Sequence, residues 1–144
     1  MIREKSCGAA VFVRRGGKIM YLVETMRQGH HSLCKGHVEG PETEHETARR
    51  EILEETALSV RFIDGFRETI SYSPYAGCVK EVVFFLAEAE GENTVAQMSE
   101  VSSIRFLPLE EALAELTYED DRRVLRAADA FLKTLPEDGG GLRG

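Results

Sequence analysis

A chain of 144 residues carrying a formal net charge of -7 is one domain in length, and its charge disfavours unassisted binding to nucleic acid or to an anionic membrane surface. Hydrophobic residues at 42% and charged residues at 30% describe a core-forming chain and exclude a disordered one. A chain of this length buries roughly two thirds of the surface its unfolded form exposes.

Three cysteines, Cys7, Cys34 and Cys78, occur without a Cys-x-x-Cys spacing, which reads as free thiols in a reducing cytoplasm. The first ten residues lack the long apolar run of a signal peptide. No stretch approaches the ~18 apolar residues of a membrane span.

In chain order, "CGAAVFV" at 7–13 predicts a buried strand, "RRGGK" a tight turn at Gly16 and Gly17, and "IMYLVET" at 19–25 the partner strand. "MRQGHHSLCKGHVEGPE", 26–42, has no period and predicts a loop carrying one short strand. Thr43 and Glu46 form a capping box, and a helix follows to about Thr56 with an apolar stripe of Ala48, Ile52 and Leu53. The stretches 58–72 and 78–90 are rich in β-branched and aromatic residues and predict strands. "SIRFLPL" at 103–109 predicts a strand running into the helix "EEALAEL". Residues 120–135 predict a closing helix on Val124, Leu125, Ala128, Phe131 and Leu132. One domain over 1–135 and a disordered tail over 136–144 are expected, with an α/β or α+β layering.

The densest chemistry lies between Glu39 and Glu55, where seven glutamates fall. Glu51, Glu54 and Glu55 stand at i, i+3 and i+4 and share a helix face, where like charges cost a few tenths of a kcal/mol per pair. A helix built only for stability would alternate them with lysines. Three carboxylates on one face suit a hard divalent cation, Mg²⁺ or Mn²⁺. By themselves they read first as a solvated acidic face. No EF-hand spacing is present. The histidines His30, His31 and His37 lack the second ligand cluster that a zinc site requires. Cys34 has no evident base partner beyond those histidines, which argues against a nucleophile.

The whole segment decides between these readings. Gly36, Glu42, Arg50, Glu51, Ile52, Glu54, Glu55 and Leu58 fit the spacing G-x5-E-x7-R-E-U-x-E-E-x-x-U, where U is a bulky aliphatic residue. This resembles the Nudix box of hydrolases acting on nucleoside diphosphates linked to another moiety. One position departs. Ala57 stands where the box has Gly, and Ala in a left-handed helix cap costs on the order of 1 kcal/mol.

Within that family the chain looks like the asymmetric diadenosine tetraphosphate hydrolases. The resemblance is carried by Lys35-Gly36-His37-Val38-Glu39, by Gly65, Phe66 and Tyr72, and by Lys80 before "VVFFLAE". It continues through Glu100 ahead of Arg105-Phe106-Leu107 and "LEEAL". His31 and Cys34 stand where the group has Trp and Pro, and Gly40-Pro41-Glu42 replaces its Pro-Gly-Glu.

The resemblance implies a Nudix α/β/α sandwich, a mixed curved sheet between helices. It implies metal ligation by Glu51, Glu54, Glu55 and the Gly36 carbonyl, with Glu54 and Glu55 serving catalysis. Glu39 and Glu100 are implied as further catalytic carboxylates, one of them the general base. Arg50 is implied to pin the preceding loop to the helix through Glu42. Lys35, His37 and Lys80 are implied to meet the phosphates, and Tyr72, with Tyr75 as a second candidate, to stack on a base. Without the resemblance Tyr72 is as readily a strand-surface or core residue, Lys80 a solvated strand-edge lysine, and Glu100 an ordinary loop residue.

The implied activity is Mg²⁺- or Mn²⁺-dependent hydrolysis of diadenosine tetraphosphate to ATP and AMP, by a cytoplasmic monomer or homodimer. The alternatives are another nucleoside polyphosphate or a diphosphoinositol phosphate as substrate, or a non-catalytic nucleotide sensor of the same fold. The intact Glu51-Glu54-Glu55 set disfavours the sensor. A diphosphoinositol phosphate calls for a more basic pocket than this chain advertises.

Overall fold

The computed structural model describes residues 1–96 and 100–136. Eight strands form one sheet: β1 (Ile2–Arg15), β2 (Lys18–Met26), β3 (His31–Ser32), β4 (Cys34–His37), β5 (Val60–Phe62), β6 (Glu68–Tyr72), β7 (Cys78–Ala89) and β8 (Val101–Pro108). Three helices accompany it: α1 (Glu44–Thr56), α2 (Leu109–Glu115) and α3 (Glu119–Lys133).

β1 lies parallel to β7, with Ile2 opposite Cys78 and Phe12 opposite Glu88. Every other pairing is antiparallel, so the sheet is mixed. Both central strands are buried along continuous runs, Ser6–Val13 and Val82–Ala87. Such runs arise where helices cover both faces of a sheet.

Two separate cores confirm the layering. On one face Phe12, Tyr21, Phe84 and Leu86 pack with Ala112 of α2 and with Val124, Leu125 and Ala128 of α3. On the other, Cys7, Val11, Leu22, Val83 and Phe85 pack with Ala48 and Ile52 of α1. The result is the expected α/β/α sandwich.

The free edge of β1 divides. Its outer half, Phe12–Arg15, pairs with β2, and its inner half, Ser6–Ala9, pairs with β4. β4 therefore leaves the line of β2 and passes beneath α1. At this crossing a Cβ on Gly36 would sit 1.9 Å from Cδ of Glu51, so any larger residue would push the Glu51 carboxylate out of its place.

Four sequence expectations change. β1 starts at Ile2 rather than at Cys7, because Ile2–Ser6 find hydrogen-bond partners along β7 from Cys78 onward. The aperiodic loop carries two short strands, β3 and β4, each completing an edge left open by β2 or β1. The stretch 58–72 breaks at Gly65, whose φ of 100° no strand accommodates, and gives β5 and β6. Leu53 is 51% exposed, and α1 instead buries Thr47, Thr56 and Glu55 beside Ala48 and Ile52. The segment expected to form a tail, apart from Pro136, lies outside the described residues. No helix among the described residues is long and apolar enough to cross a membrane.

α1 opens as expected. Thr43 Oγ1 accepts from Glu46 N–H, and Glu46 Oε1 accepts from Thr43 N–H. It closes on Ala57, whose φ of 66° and ψ of 16° lie in the left-handed region. Ala57 is exposed, so nothing packs on its Cβ. Ala57→Gly should raise the thermal midpoint by about 2–4 °C, corresponding to relief of about 1 kcal/mol. An unchanged or lower midpoint in calorimetry would show that the turn carries no strain.

Glu44, in the first turn of α1, also ties the helix to the sheet. It accepts from Arg67 Nε and Nη2 at 2.9 and 2.8 Å and from Lys5 Nζ at 2.6 Å. Arg67, and then Lys5, hold its carboxyl down at about 2. A depressed carboxyl adds stability that is present above its ordinary pKa and is lost as pH falls toward the depressed value. Between about pH 5 and 2.5 the thermal midpoint of the wild type should therefore fall more steeply than that of Glu44→Gln. Parallel curves would remove Glu44 from the acid transition.

Candidate active site

α1, β4 and the turn before β8 enclose a cavity of about 240 Å³ lined by Gly36, His37, Glu39, Glu51, Glu54, Glu55 and Glu100. Five of these seven residues are glutamates, contributed by three separate segments of the chain: the loop after β4, α1 and the turn before β8. The Nudix-box glutamates and the two distant ones, Glu39 and Glu100, therefore meet in one place.

Arg50 orders the acidic wall. Its Nε donates to Glu42 at 2.6 Å and its Nη2 to Glu42 at 3.1 Å and to the His37 carbonyl at 2.9 Å. Its Nη1 donates to Glu51 at 2.9 Å and to Glu54 at 3.0 Å. Glu42 is fixed further by the Glu39 N–H and the Thr47 hydroxyl. Arg50, with the other two groups, holds the Glu42 carboxyl down at about 2. Glu42 thus stays ionised and anchors the loop that carries Glu39.

The three helix carboxylates are unequal. Glu54 is exposed, Glu51 is half-buried, and Glu55 is 4% exposed. Burial pushes the Glu51 carboxyl up, against the opposing pull of Arg50. Burial, and then the neighbouring Glu24, push the Glu55 carboxyl up as well.

Glu24, on β2, is 1% exposed and is likewise raised by burial. Sequence reasoning missed it, because a single glutamate in "IMYLVET" follows strand alternation and carries no motif. The tightest grouping of potential ligand atoms is Glu24, Cys34 and Glu55, all within 4.8 Å of one another. Cys34 does have a carboxylate partner: its thiol donates to Glu24 Oε2 at 3.0 Å. Burial, followed by Glu24 and Glu55, pushes that thiol well above its ordinary pKa, which removes it as a nucleophile.

A second cavity of about 620 Å³ meets the first along β4, with Lys35 lining one and Gly36 the other. Gln28, His30, Ser32, Lys35, Tyr72, Tyr118 and Asp121 contribute to its walls. Tyr72 stands at its rim, 40% exposed, and lies opposite Lys80 in the β6–β7 register. Burial, and then the charge of Lys35, pull the Lys80 ammonium below its ordinary pKa. Two lysines and an exposed aromatic ring therefore share one neighbourhood. Tyr75 is exposed and its hydroxyl donates to Glu4 at 3.3 Å, and His37 lies 3.6 Å from the same carboxylate. Two wall residues were invisible in the sequence. Tyr118 caps α3, its ring 5.9 Å from that of His30, and Asp121 is 3% exposed with Oδ2 unpartnered.

The donor set fits hard divalent cations. The smaller cavity is walled by carboxylate oxygens, and Glu55 Oε1 is buried without a hydrogen-bond partner. The Gly36 backbone stands against Glu51 where any Cβ would fill the space. An acidic enclosure of this kind is costly without cations to neutralise it.

The NUDIX domain matches residues 4–128. The asymmetrical bis(5'-nucleosyl)-tetraphosphatase of Sus scrofa is 31% identical over 143 residues, covering 91% of this chain and 97% of the pig protein. Among solved structures, a Caenorhabditis elegans Ap4A hydrolase binary complex superposes with a TM-score of 0.84 at 26% identity, covering 92% of this chain and 99% of that one. The NUDIX domain of Shewanella oneidensis NrtR, solved with ADP ribose, shares the fold at 18% identity, with a TM-score of 0.74 and coverage of 92% and 90%. With its box intact at every carboxylate and the family's domain matched over residues 4–128, the chain belongs to the NUDIX family.

Proposed function

We propose that this NUDIX pyrophosphohydrolase cleaves a dinucleoside polyphosphate, with diadenosine tetraphosphate giving ATP and AMP, in a reaction that requires Mg²⁺ or Mn²⁺. One observation supports this above the rest: a five-glutamate cavity abuts a larger one with a tyrosine at its rim and a lysine at the junction. Polyphosphate takes the acidic side through cations, and a nucleoside takes the other. The names of the relatives above point the same way. The absence of a membrane-crossing helix among the described residues accords with action in the cytoplasm.

Glu51, Glu54, Glu55 and the Gly36 carbonyl would hold the cations. The chemistry that divalent cations supply in such a site is neutralisation of polyphosphate charge and acidification of the attacking water. Glu39 and Glu100, on segments outside the helix, line the same cavity as the ligands, and one of them accepts the proton of the attacking water. Arg50 acts as a positioning residue, holding Glu42, the His37 carbonyl, Glu51 and Glu54 in one arrangement. Lys35 and Lys80 meet the phosphates between the cavities. Tyr72 supplies a face for the base, and such stacking is worth ~1–3 kcal/mol. Asp120 and Asp121 line the larger cavity and make it unsuited to a densely phosphorylated inositol.

The deciding experiment incubates the protein with Mg²⁺ and a panel of dinucleoside polyphosphates, nucleoside triphosphates and diphosphoinositol phosphates, with products resolved by chromatography. ATP and AMP from diadenosine tetraphosphate, at a higher kcat/KM than any other member, are expected. Full turnover in excess chelator, or preference for a mononucleotide, would overturn the reading. Lys80→Ala and Tyr72→Ala should raise KM more than they lower kcat, because they hold ground and transition states alike. Unchanged KM in both would displace the substrate from the larger cavity.

Glu55→Gln separates catalysis from folding. A raised carboxyl contributes stability at pH below its ordinary pKa and loses it as pH rises, and the neutral amide does not titrate. Without metal, Glu55→Gln should be at least as stable as wild type at pH 8, while kcat falls about a hundredfold, on the order of 3 kcal/mol. Glu46→Gln, which keeps an oxygen for the capping box, should stay within about twofold of wild-type kcat. Equal activity of the two variants would remove Glu55 from the catalytic machinery.

A further inference from the structure

Glu24 and Cys34 have no part in the hydrolysis described above, yet they are built into its deepest wall. Glu24 lies mid-strand on β2 and Cys34 opens β4, each 1% exposed. Their side chains are joined by the thiol-to-carboxylate hydrogen bond of 3.0 Å. Glu55 completes the group from α1, with donor atoms of all three within 4.8 Å of one another. Glu55 Oε1 is buried and has no hydrogen-bond partner, so this side of the group offers an unused lone pair. Cys34 belongs to the core on the α1 face of the sheet, whose Ala9, Leu22 and Ile52 carry no side-chain donor or acceptor.

The ligand chemistry differs from that of the outer cavity. Mg²⁺ demands six oxygens in a near-octahedral array and keeps several waters, and a sulfur ligand with dry surroundings suits it poorly. One thiolate and two carboxylates suit a four-coordinate thiophilic cation, with the fourth position open. Bonds of about 2.3 Å to sulfur and about 2.0–2.2 Å to oxygen require only a modest closing of the three donors. Glu55 belongs to this group and also lines the smaller cavity, so the two donor sets share one carboxylate.

We propose that Glu24, Cys34 and Glu55 form an inhibitory site for a thiophilic divalent cation of the zinc class, whose binding withdraws Glu55 from the hydrolytic cations. This rests on the assignment of Glu55 as a ligand in the proposed function. As the sulfur–metal bond forms, the thiol proton now directed at Glu24 passes to solvent, and no electron transfer is involved. The site makes the enzyme responsive to the ratio of thiophilic to hard cations. The residue that commits it is Cys34, at the position where the resembling group has proline.

Cobalt(II) reports the site without reference to activity. Titration of the metal-free protein with Co²⁺ should produce a thiolate-to-cobalt charge-transfer band that saturates at one equivalent. The band should persist in Cys7→Ser and be lost in Cys34→Ser. Zn²⁺ should inhibit Mg²⁺-supported hydrolysis by the wild type, and Cys34→Ser should need at least roughly tenfold more zinc for equal inhibition. No band in the wild type, or a band that survives in Cys34→Ser, overturns the site. A band without zinc inhibition overturns its inhibitory role. Should Cys34→Ser fail to fold, Glu24→Gln decides. Its cobalt affinity must fall at least about tenfold, and an unchanged affinity overturns the site. Should the protein hydrolyse no nucleotide, the band still decides the site while the proposed function falls.

Discussion

The site depends on one guanidinium. Arg50 spans Glu42 in the loop before α1, the His37 carbonyl at the end of β4, and Glu51 and Glu54 on its own helix. Without it, α1 would carry its acidic face uncompensated and the loop of Glu39 would have no fixed approach. The contacts exploit the planar fork of arginine, in which Nε and Nη2 reach both oxygens of one carboxylate while Nη1 reaches two others. A lysine, with one ammonium point, could not bridge three segments at once. Glu42 and then Glu51 push the Arg50 pKa further up, so the bridge carries full charge at any relevant pH.

The sheet gives this bridge its place. Because the edge of β1 is shared between β2 and β4, the chain must open a wedge where the two partners diverge. β4 then runs under α1 with Gly36 directly against the Glu51 carboxylate, where a Cβ would displace it. The two cores hold the wedge from opposite sides, α1 through Ala48 and Ile52 and α3 through Val124, Leu125 and Ala128. The acidic cavity and the larger cavity are the two mouths of that wedge.

Much of this was legible in the sequence because it follows local rules. The capping box at Thr43 and Glu46, the left-handed Ala57 and the reach from Arg50 to Glu42 involve residues within a few turns of one another. The alternation of apolar residues located most of the strands and the closing helix. What escaped depends on partners distant in sequence. Ile2–Ser6 become strand only because β7 offers them a parallel edge, which no local pattern announces. Leu53 belongs to an apolar stripe by spacing, yet α1 rotates to bury Glu55 and Thr47 and leaves Leu53 in solvent. Glu44 stands in the first turn of α1, and nothing local announces that Lys5 of β1 and Arg67 of the loop before β6 hold it. Glu24 and Asp121 gave no signal, since neither sits in a motif and burial of a charged residue is a tertiary fact.

Those two residues bear on why the site takes this form. Among the described residues, Glu55 Oε1 and Asp121 Oδ2 are buried carboxyl oxygens without a hydrogen-bond partner, one in each cavity. Each such atom costs about 1–3 kcal/mol in desolvation, against a total stability of about 5–15 kcal/mol for an ordinary domain. A fold selected for stability alone would place amides or apolar residues there. Burial also raises both carboxyls, so the protein alone holds them in a state that a bound cation or donor would reverse. The rotation of α1 that exposes Leu53 is the same rotation that drives Glu55 inward. The helix gives up an apolar contact and keeps a buried carboxyl, a choice that accords with the role proposed for the interior of the wedge.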